Sequence, residues 1–266
     1  MKLKKSLSQN FLINDRAAKR IVDSLDLNEN DFVLEIGAGS GALTKHLLHK
    51  AKKVVAVEID KQLCGLLQQK FASHQNLSIV NADILKVNLR DLIQPEPSCK
   101  VAGNLPYQIT SPVLSLLLEN RKLIDACVVT VQKEVALRLS SKPGNKDWSP
   151  LSIAVQLYAN VKILFHLKPG SFFPRPGVDS SVIRLLFLPQ PRVRVQSEKL
   201  FFKVVRAAFG QRRKILLNSL AANLDLPKDQ LEVIFNRISL DPKRRAETLD
   251  MDEFAQLSSA MCESLK

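Results

Sequence analysis

Short apolar segments alternate with helical segments along the first half of this chain, and this alternation restricts the fold more than any other feature. The apolar runs span four to six residues, and the stretches between them repeat apolar positions with helical spacing. The predicted strands are 32–36, 54–57, 77–80, 99–102 and 126–131, and the predicted helices are 42–49, 61–71 and 111–119. Such alternation builds βαβ units and a mostly parallel sheet. The sequence therefore predicts an α/β fold whose ligands bind beyond the carboxyl ends of the strands.

The patterning changes in the second half of the chain. The elements predicted there are a polar loop (141–150), a helix (151–160), two hairpin strands (161–167 and 180–188), a Pro-Gln-Pro linker (189–191) and only helices over 197–266. We therefore expect two domains: an α/β domain, 1–188, and a small all-helical domain, 189–266.

The charge of the chain points to a polyanionic partner. It carries 39 Lys and Arg against 26 Asp and Glu, a formal net charge of +13. Basic residues concentrate in 1–22 and 199–214, and clusters of this kind attract nucleic acid or an anionic membrane. The apolar runs are too short for a membrane span, and no signal-peptide core follows the basic N-terminus. We expect a cytoplasmic protein that binds nucleic acid and no membrane.

The cysteines give no sign of a metal site. The four cysteines lie far apart and form no CxxC pair, so neither a zinc site nor a disulfide framework is predicted. We expect reduced thiols and no bound metal.

A glycine-rich loop follows the first predicted strand. It runs from Glu35 to Gly41 as Glu-Ile-Gly-Ala-Gly-Ser-Gly, and glycines in this place let the backbone approach a ligand closely. Glu58 ends the second strand, where an acid typically binds the ribose hydroxyls of an adenosine-containing cofactor. Asp83 follows the third strand, where a carboxylate can meet the adenine amine. The alternatives are a loop-bracing role for Glu35 and helix-capping or surface roles for Glu58 and Asp83.

The glycine loop alone does not identify the cofactor. Its spacing also satisfies the loose dinucleotide pattern of NAD-binding proteins. Glu35 favours S-adenosylmethionine, because a carboxylate suits a cofactor with a cationic sulfonium and an ammonium better than it suits a pyrophosphate. An NAD-dependent oxidoreductase remains an alternative.

Asn104-Leu105-Pro106-Tyr107 follows the fourth apolar run, at the carboxyl edge of the predicted sheet. The Asn side-chain oxygen and a nearby main-chain carbonyl can accept both hydrogens of an exocyclic amine on a planar ring. Pro106 lacks a competing N–H, and Tyr107 offers a face on which the ring can stack. This pattern is also an ordinary turn signal.

Together these segments resemble one family, the ribosomal RNA adenine N6,N6-dimethyltransferases of the KsgA type. The resemblance covers nearly the whole chain. Its motifs are Gln9–Leu12, Glu35–Gly41, Glu58 with Asp83, Asn104–Tyr107, Phe172–Pro176 with Val178–Ser180, Arg206–Lys214 with Asn218–Leu220, and Arg245–Leu249 with Phe254. It implies a Rossmann-like S-adenosylmethionine-dependent methyltransferase domain followed by a small helical RNA-binding domain.

The resemblance also implies roles for individual residues. The resemblance implies cofactor contacts at Asn10, Leu12, Gly37, Glu58, Asp83 and Asn104, and the glycine loop described above adds Glu35 and Gly39. The resemblance also implies that Asn104 touches the target amine. The chemistry of the remaining residues leads us to expect Leu105, Pro106, Tyr107, Phe172 and Phe173 in the catalytic site, with one of the two phenylalanines facing the target adenine and the other packing in the core. The expected RNA-binding residues are Lys4, Lys5, Arg206, Arg212, Arg213 and Lys214. Without the resemblance, Asn10 would be interpreted as a helix cap.

The expected activity is transfer of methyl groups to N6 of adjacent adenosines near the 3′ end of small-subunit ribosomal RNA. We expect a monomer that acts on a small-subunit particle during its biogenesis. Two alternatives stay open besides the oxidoreductase: a large-subunit adenine methylase of the antibiotic-resistance type, and a catalytically idle RNA-binding assembly or transcription factor.

Overall fold

The computed structural model describes residues 10–211 and 213–264, and within these residues the chain forms two compact units. The α/β unit comprises residues up to 136 together with 159–189, and the helical unit comprises 137–158 together with the residues from 190 onward. Lys4, Lys5 and Arg212, which the sequence analysis assigned to RNA binding, lie outside the described residues.

The α/β unit is built on a seven-stranded sheet and a two-stranded sheet. The strands are β1 (Phe11–Leu12), β2 (Phe32–Ile36), β3 (Lys53–Glu58), β4 (Leu77–Asn81), β5 (Cys99–Asn104), β6 (Ile124–Gln132), β7 (Ala159–Leu167), β8 (Phe172–Phe173) and β9 (Ser180–Phe187). The large sheet has the order β4-β3-β2-β5-β6-β9-β7, and β1 pairs with β8. This architecture confirms the predicted α/β class.

The first five strands of the large sheet run parallel, and β9 and β7 run antiparallel to their neighbours. After β2, the strands β3 and β4 are added on one side of β2, and β5 and β6 are then added on its other side. The switch point therefore lies between β2 and β5, where open parallel sheets bind their ligands. The predicted hairpin forms as the β7–β9 pair, with β9 also bonded to β6.

Helices of the α/β unit follow its strands. They are α1 (Asp15–Asp23), α2 (Thr44–Leu47), α3 (Lys61–Lys70), α4 (Leu89–Ile93), α5 (Thr110–Glu119) and α6 (Lys133–Leu139), the last of which continues into the helical unit. Helix α1 begins after Asn14, whose side chain accepts a hydrogen bond from the Ala17 N–H. Its buried residues Ile21 and Val22 pack in the same apolar core as Val33 and Val54 of the central strands.

The helical unit consists of α7 (Pro150–Tyr158), α8 (Glu198–Phe209), α9 (Leu216–Leu224), α10 (Lys228–Arg237) and α11 (Met251–Ser264). Residues 137–158 pack with it, although the sequence analysis placed them in the first domain. The physical reason is Trp148, which is 1% exposed and donates a hydrogen bond of 2.9 Å from Nε1 to the Leu249 carbonyl. The Gly144 N–H donates to the Glu247 carbonyl at 2.7 Å, so the predicted polar loop is anchored inside the helical unit.

Among the residues that the structure describes, no helix is both long and apolar enough to cross a membrane.

Candidate functional site

A cavity of about 230 Å³ opens at the carboxyl ends of the parallel strands, at the switch point between β2 and β5. Its lining comes from the ends of four strands and from the chain before α1. The lining residues are Asn10, Phe11, Ile36, Gly37, Gly39, Val57, Glu58, Ile59, Ala82, Asp83, Ile84, Leu85, Asn104, Leu105, Pro106, Tyr107, Gln108 and Ile109. The fold thus brings together most of the residues that the sequence assigned to the cofactor and to catalysis.

The glycine-rich loop wraps the end of β2 around one wall of the cavity. Gly37 and Gly39 adopt φ values of +71° and +56°, which strain any residue with a side chain. A Cβ on Gly39 would also lie 3.1 Å from the ring of Phe11. The Gly37 N–H donates to the Val57 carbonyl at 2.9 Å, which ties the loop to the end of β3. These glycines therefore permit both the loop conformation and the close packing of Phe11.

Glu58 is held rigidly at the end of β3. It is buried, and its carboxylate accepts one hydrogen bond from the Gly39 N–H and another from the Asp60 N–H, each of 2.9 Å. Each oxygen is engaged once by a backbone N–H and can accept again. A carboxylate that is fixed in this way at the cavity wall fits a pair of ribose hydroxyls.

Asp83 has the capping role that the sequence left open, and it also lies at the cavity wall. Its Oδ1 accepts a hydrogen bond of 3.1 Å from the Leu85 N–H, so it caps the short 3₁₀ turn after β4. It also lines the cavity, next to Ile84 and Leu85. The capping bond fixes the carboxylate at the wall, where it can meet an adenine amine.

Glu35 lies outside the cavity lining. The side chain is 1% exposed, and its Oε2 accepts a hydrogen bond of 2.7 Å from the Thr44 hydroxyl at the start of α2. Burial raises the pKa of this carboxyl to about 7, the Thr44 bonds oppose the shift, and the nearby charge of Glu58 adds to it. This geometry agrees with the loop-bracing alternative, because the buried side chain supports the glycine loop from behind, and the assignment of Glu35 to cofactor binding stays a prediction.

Asn104 ends β5 at the switch point, and a hydrogen bond to the chain before α1 orients its side-chain amide. The Nδ2 group donates a hydrogen bond of 2.8 Å to the Asn10 carbonyl. No other described residue donates to Oδ1, so this oxygen is left as an acceptor beside the cavity. Gly103 makes the arrangement possible, because a Cβ there would lie 2.9 Å from the Ile36 carbonyl oxygen.

The next three residues turn the chain from β5 into a 3₁₀ turn. Leu105 is buried, and its N–H donates to the Thr130 carbonyl at 3.3 Å. Pro106 precedes the turn with a φ of −57°, and Tyr107 begins it. The Leu105 carbonyl oxygen accepts no hydrogen bond from any described residue. It therefore offers a second acceptor near Asn104.

Tyr107 is positioned by a residue whose role the sequence analysis missed. Its hydroxyl lies 2.7 Å from the Oγ of Ser180, the fully buried first residue of β9. Burial raises the pKa of Tyr107, and the Ser180 hydrogen bond opposes that shift. The sequence signal was present, because Ser180 ends the Val178–Ser180 motif, but a motif does not reveal which side chain it contacts.

The β1–β8 pair separates the remaining predicted site residues into two faces. Leu12 lies opposite Phe172, and both are buried in the core, at 4% and 1% exposure. Neither lines the cavity. Phe172 is therefore the phenylalanine that packs in the core, and the assignment of Leu12 to cofactor binding stays a prediction. Phe173 is 59% exposed, which leaves it as the phenylalanine that can face a base.

Three of the predicted RNA-binding residues lie on the helical unit. Arg206 is in the last turn of α8, and Arg213 and Lys214 follow the helix. All three side chains are exposed.

Comparison with known proteins identifies the family. The family model described as ribosomal RNA adenine dimethylase matches residues 1–262. The chain belongs to this family.

Relatives of the adenine dimethylase family match the chain almost end to end. A protein of Bacillus cytotoxicus named ribosomal RNA small subunit methyltransferase A is 49% identical over 265 residues, covering 97% of this chain and 91% of the relative. A Clostridium botulinum protein of the same name is 43% identical over 264 residues, covering 99% and 96%.

Two solved structures are similar over nearly the whole chain. A dimethyladenosine transferase from Plasmodium falciparum has a TM-score of 0.83 at 25% identity, covering 96% of this chain and 98% of that one. The 23S rRNA methyltransferase ErmE has a TM-score of 0.73 at 25% identity, covering 95% and 100%.

The methyl donor of this family is S-adenosylmethionine, and the cavity fits it. The fixed Glu58 carboxylate suits the ribose, Asp83 suits the adenine amine, and the glycine loop lets the backbone approach the methionine part. The protein is therefore an adenine methyltransferase of the Rossmann-like class.

Proposed function

We propose that the protein methylates N6 of adjacent adenosines near the 3′ end of small-subunit ribosomal RNA and produces N6,N6-dimethyladenosine. The observation that carries this proposal is the placement of Asn104, whose amide NH₂ is bound to the Asn10 carbonyl while Oδ1 remains an acceptor at the cavity. The small-subunit relatives support the choice of RNA.

Asn104 and Leu105 act on the attacking amine. The adenine N6 lone pair is delocalised into the ring, and accepting both N6 hydrogens at Asn104 Oδ1 and the Leu105 carbonyl favours a pyramidal nitrogen. The bound cofactor supplies a methyl group that is already activated by its cationic sulfur. Positioning of a nucleophile can supply on the order of 7–11 kcal/mol in the best intramolecular cases. No general base is needed before attack, because the amine is neutral and loses its proton afterwards.

Tyr107 and Phe173 hold the flipped base. An adenine must leave its stack to reach the cavity, at a cost of a few kcal/mol. Stacking on an aromatic ring returns about 1–3 kcal/mol. Tyr107 lines the cavity, and its hydroxyl is hydrogen-bonded to Ser180. Phe173 is exposed and lies shortly before Ser180 in the sequence.

RNA binding beyond the target base is assigned to basic side chains. Arg206, Arg213 and Lys214 are exposed and suit contacts with phosphates and with RNA shape. Lys4, Lys5 and Arg212 belong to the same proposal from sequence. We further propose that the protein acts as a monomer, in the cytoplasm, on a small-subunit particle during biogenesis.

The large-subunit methylase is the second candidate, and the similarity to ErmE supports it. The dimethyladenosine transferase structure has the higher TM-score at the same identity, and the relatives at 43–49% identity carry the small-subunit name. The small-subunit activity is therefore the better-supported proposal. An idle RNA-binding factor is disfavoured by the intact acceptor at Asn104.

The test is methyl transfer from labelled S-adenosylmethionine to unmodified small and large ribosomal subunits, followed by nucleoside digestion and mass analysis. The proposal predicts N6,N6-dimethyladenosine in small-subunit RNA alone. Label only in large-subunit RNA would establish the second candidate. No label, with S-adenosylmethionine but not NAD raising the melting temperature, would support an idle relative.

A further inference from the structure

Two large apolar side chains are exposed beside the candidate site. Ile13 is 62% exposed and Phe173 is 59% exposed. A single exposed apolar residue needs no explanation, but two on one small surface indicate a contact with a partner. Within the part of the chain that the structure describes, this surface is left uncovered.

The pairing of β1 with β8 places these side chains on one face. Phe11 lies directly opposite Phe173, and opposed residues of an antiparallel pair share a face. Past β1, the N–H groups of Ile13 and Asn14 both donate to the Ser171 carbonyl, at 2.9 and 3.3 Å, so the chain stays beside the residue that precedes β8. Ile13 comes two residues after Phe11, and we infer from this spacing and from its exposure that it lies on the face of Phe11 and Phe173. Leu12, between them, points into the core.

This face is continuous with the cavity. Phe11 lines the cavity and packs against Gly39 of the glycine loop. The preceding residue, Asn10, accepts the hydrogen bond that orients Asn104. The apolar surface therefore runs from the cavity, where the target base binds, outward through Phe173 to Ile13.

Two arginines lie close in sequence to the same surface. Arg16 follows Ile13 by three residues, Arg175 follows Phe173 by two, and both are exposed. Neither guanidinium takes part in an ion pair or side-chain hydrogen bond with any described residue, so both are available to phosphates. An exposed apolar surface with available arginines close to it in sequence fits a nucleotide, whose base is flat and whose phosphates are anionic.

We propose that Ile13 binds the base of the nucleotide next to the target adenosine, with Phe173 separating the two bases and with Arg16 and Arg175 contacting the adjoining phosphates. The inference rests on the proposed function and extends it from one nucleotide to two. Because the target sits beside a second adenosine, this subsite holds one adenine while the other is methylated.

The test combines a protein variant with a change in the RNA. Small subunits are reconstituted with RNA that is intact or that carries an abasic nucleotide at one of the two adjacent adenosines, and KM and kcat are measured on the remaining adenosine. The variants are Ile13→Ser and Ile13→Leu, with Val233→Ser of α10, whose wild-type side chain is 67% exposed, as the matched control.

Wild-type enzyme is expected to show a KM about five- to tenfold higher on at least one abasic substrate, the size of a modest base contact. Ile13→Ser is expected to raise KM on intact RNA by a similar factor. On that abasic substrate, the variant should have the same KM as the wild-type enzyme, because the base that Ile13 contacts is already missing. Ile13→Leu restores the wild-type KM, Val233→Ser leaves it unchanged, and kcat and the melting-temperature shift with S-adenosylmethionine stay constant throughout.

An unchanged KM for Ile13→Ser on intact RNA would overturn the proposed subsite. So would a KM for Ile13→Ser on the abasic substrate that is raised by the product of the two separate KM increases. Absence of transfer to intact subunits by the wild-type enzyme would instead contradict the proposed function. The two failures are therefore distinguishable.

Discussion

At the scale of residues, the site depends on a few hydrogen bonds that fix side chains around the cavity. Tyr107 and Ser180 form one of these bonds, at 2.7 Å. Such a bond contributes about 0.5–1.5 kcal/mol, and here it restricts the ring on which the base is proposed to stack. The motif predicted Tyr107, but it did not predict its partner, because their contact depends on the position of β9 in the sheet.

We expect Tyr107→Phe and Ser180→Ala each to lower kcat/KM for methyl transfer by about two- to tenfold, since each removes the same bond. The double variant should be no worse than either single variant. Ser181→Ala is the matched control, because the Oγ of Ser181 lies 2.8 Å from the Nδ1 of His166 and is not bonded to Tyr107. If the two reductions in kcat/KM multiplied in the double variant, Ser180 would not act through Tyr107.

Glu35 gives a prediction about pH. Burial raises its pKa to about 7 from an ordinary value of 4.5, so the folded protein keeps a proton that the unfolded chain releases. Stability is then highest below pH 4.5 for this group and falls as pH rises to about 7, by roughly 3 kcal/mol. Glu35→Gln keeps an acceptor for Thr44 and should flatten this fall in the free energy of unfolding.

The measurement is urea unfolding of the wild type and Glu35→Gln at a series of pH values between 5 and 8. The exposed Glu119→Gln serves as control and should retain the wild-type pH slope. Equal slopes for the wild type and Glu35→Gln would contradict the assignment of the raised pKa.

At the scale of elements, the long strands could be predicted from the sequence and the two shortest strands could not. The strands β2 to β6 carry apolar runs that identify them, and the sequence predicted all five. The strands β1 and β8 have two residues each, too few for a periodic signal. Their pairing decides that Leu12 and Phe172 are buried while Phe173 is exposed, which explains why the motifs alone did not show which phenylalanine packs in the core.

Gly39→Ala tests how closely the glycine loop and β1 are packed. A Cβ would lie 3.1 Å from Phe11 at a φ of +56°, so we expect a loss of about 1–2 kcal/mol in the free energy of unfolding and weaker S-adenosylmethionine binding. Gly65→Ala in α3 is the control, because its Cβ would meet nothing within 4 Å. That variant should gain about 0.5–1 kcal/mol. If urea unfolding showed the same change in the free energy of unfolding for both variants, the close packing of Gly39 against Phe11 would be contradicted.

At the scale of the whole molecule, charge and long-range packing determine the organisation. The net charge of +13 predicted a polyanionic partner without any structural information. The division into units was less predictable, because residues 137–158 join the helical unit through Trp148 and Leu249, which are 101 residues apart in sequence. No local pattern reveals a contact at that separation.

RNA binding through exposed cations should weaken steeply with salt. We expect Arg213→Gln to reduce the slope of log binding constant against log salt by about one. Lys50→Gln is the control, because the Lys50 ammonium is already paired with Asp23 at 2.8 Å. Filter-binding titrations over a range of salt concentrations measure both slopes. A slope that Arg213→Gln leaves unchanged would remove Arg213 from the RNA interface.

The most direct test of the account is single-turnover methyl transfer by Asn104→Ala on unmodified small ribosomal subunits. The variant loses the acceptor proposed to orient N6, so at saturating S-adenosylmethionine we predict a rate at least about 100-fold below wild type, with RNA binding largely retained. Asn120→Ala, which removes a part-buried amide bonded to the Leu116 carbonyl, should transfer at the wild-type rate. Turnover of Asn104→Ala near the wild-type rate would contradict the central role of this side chain.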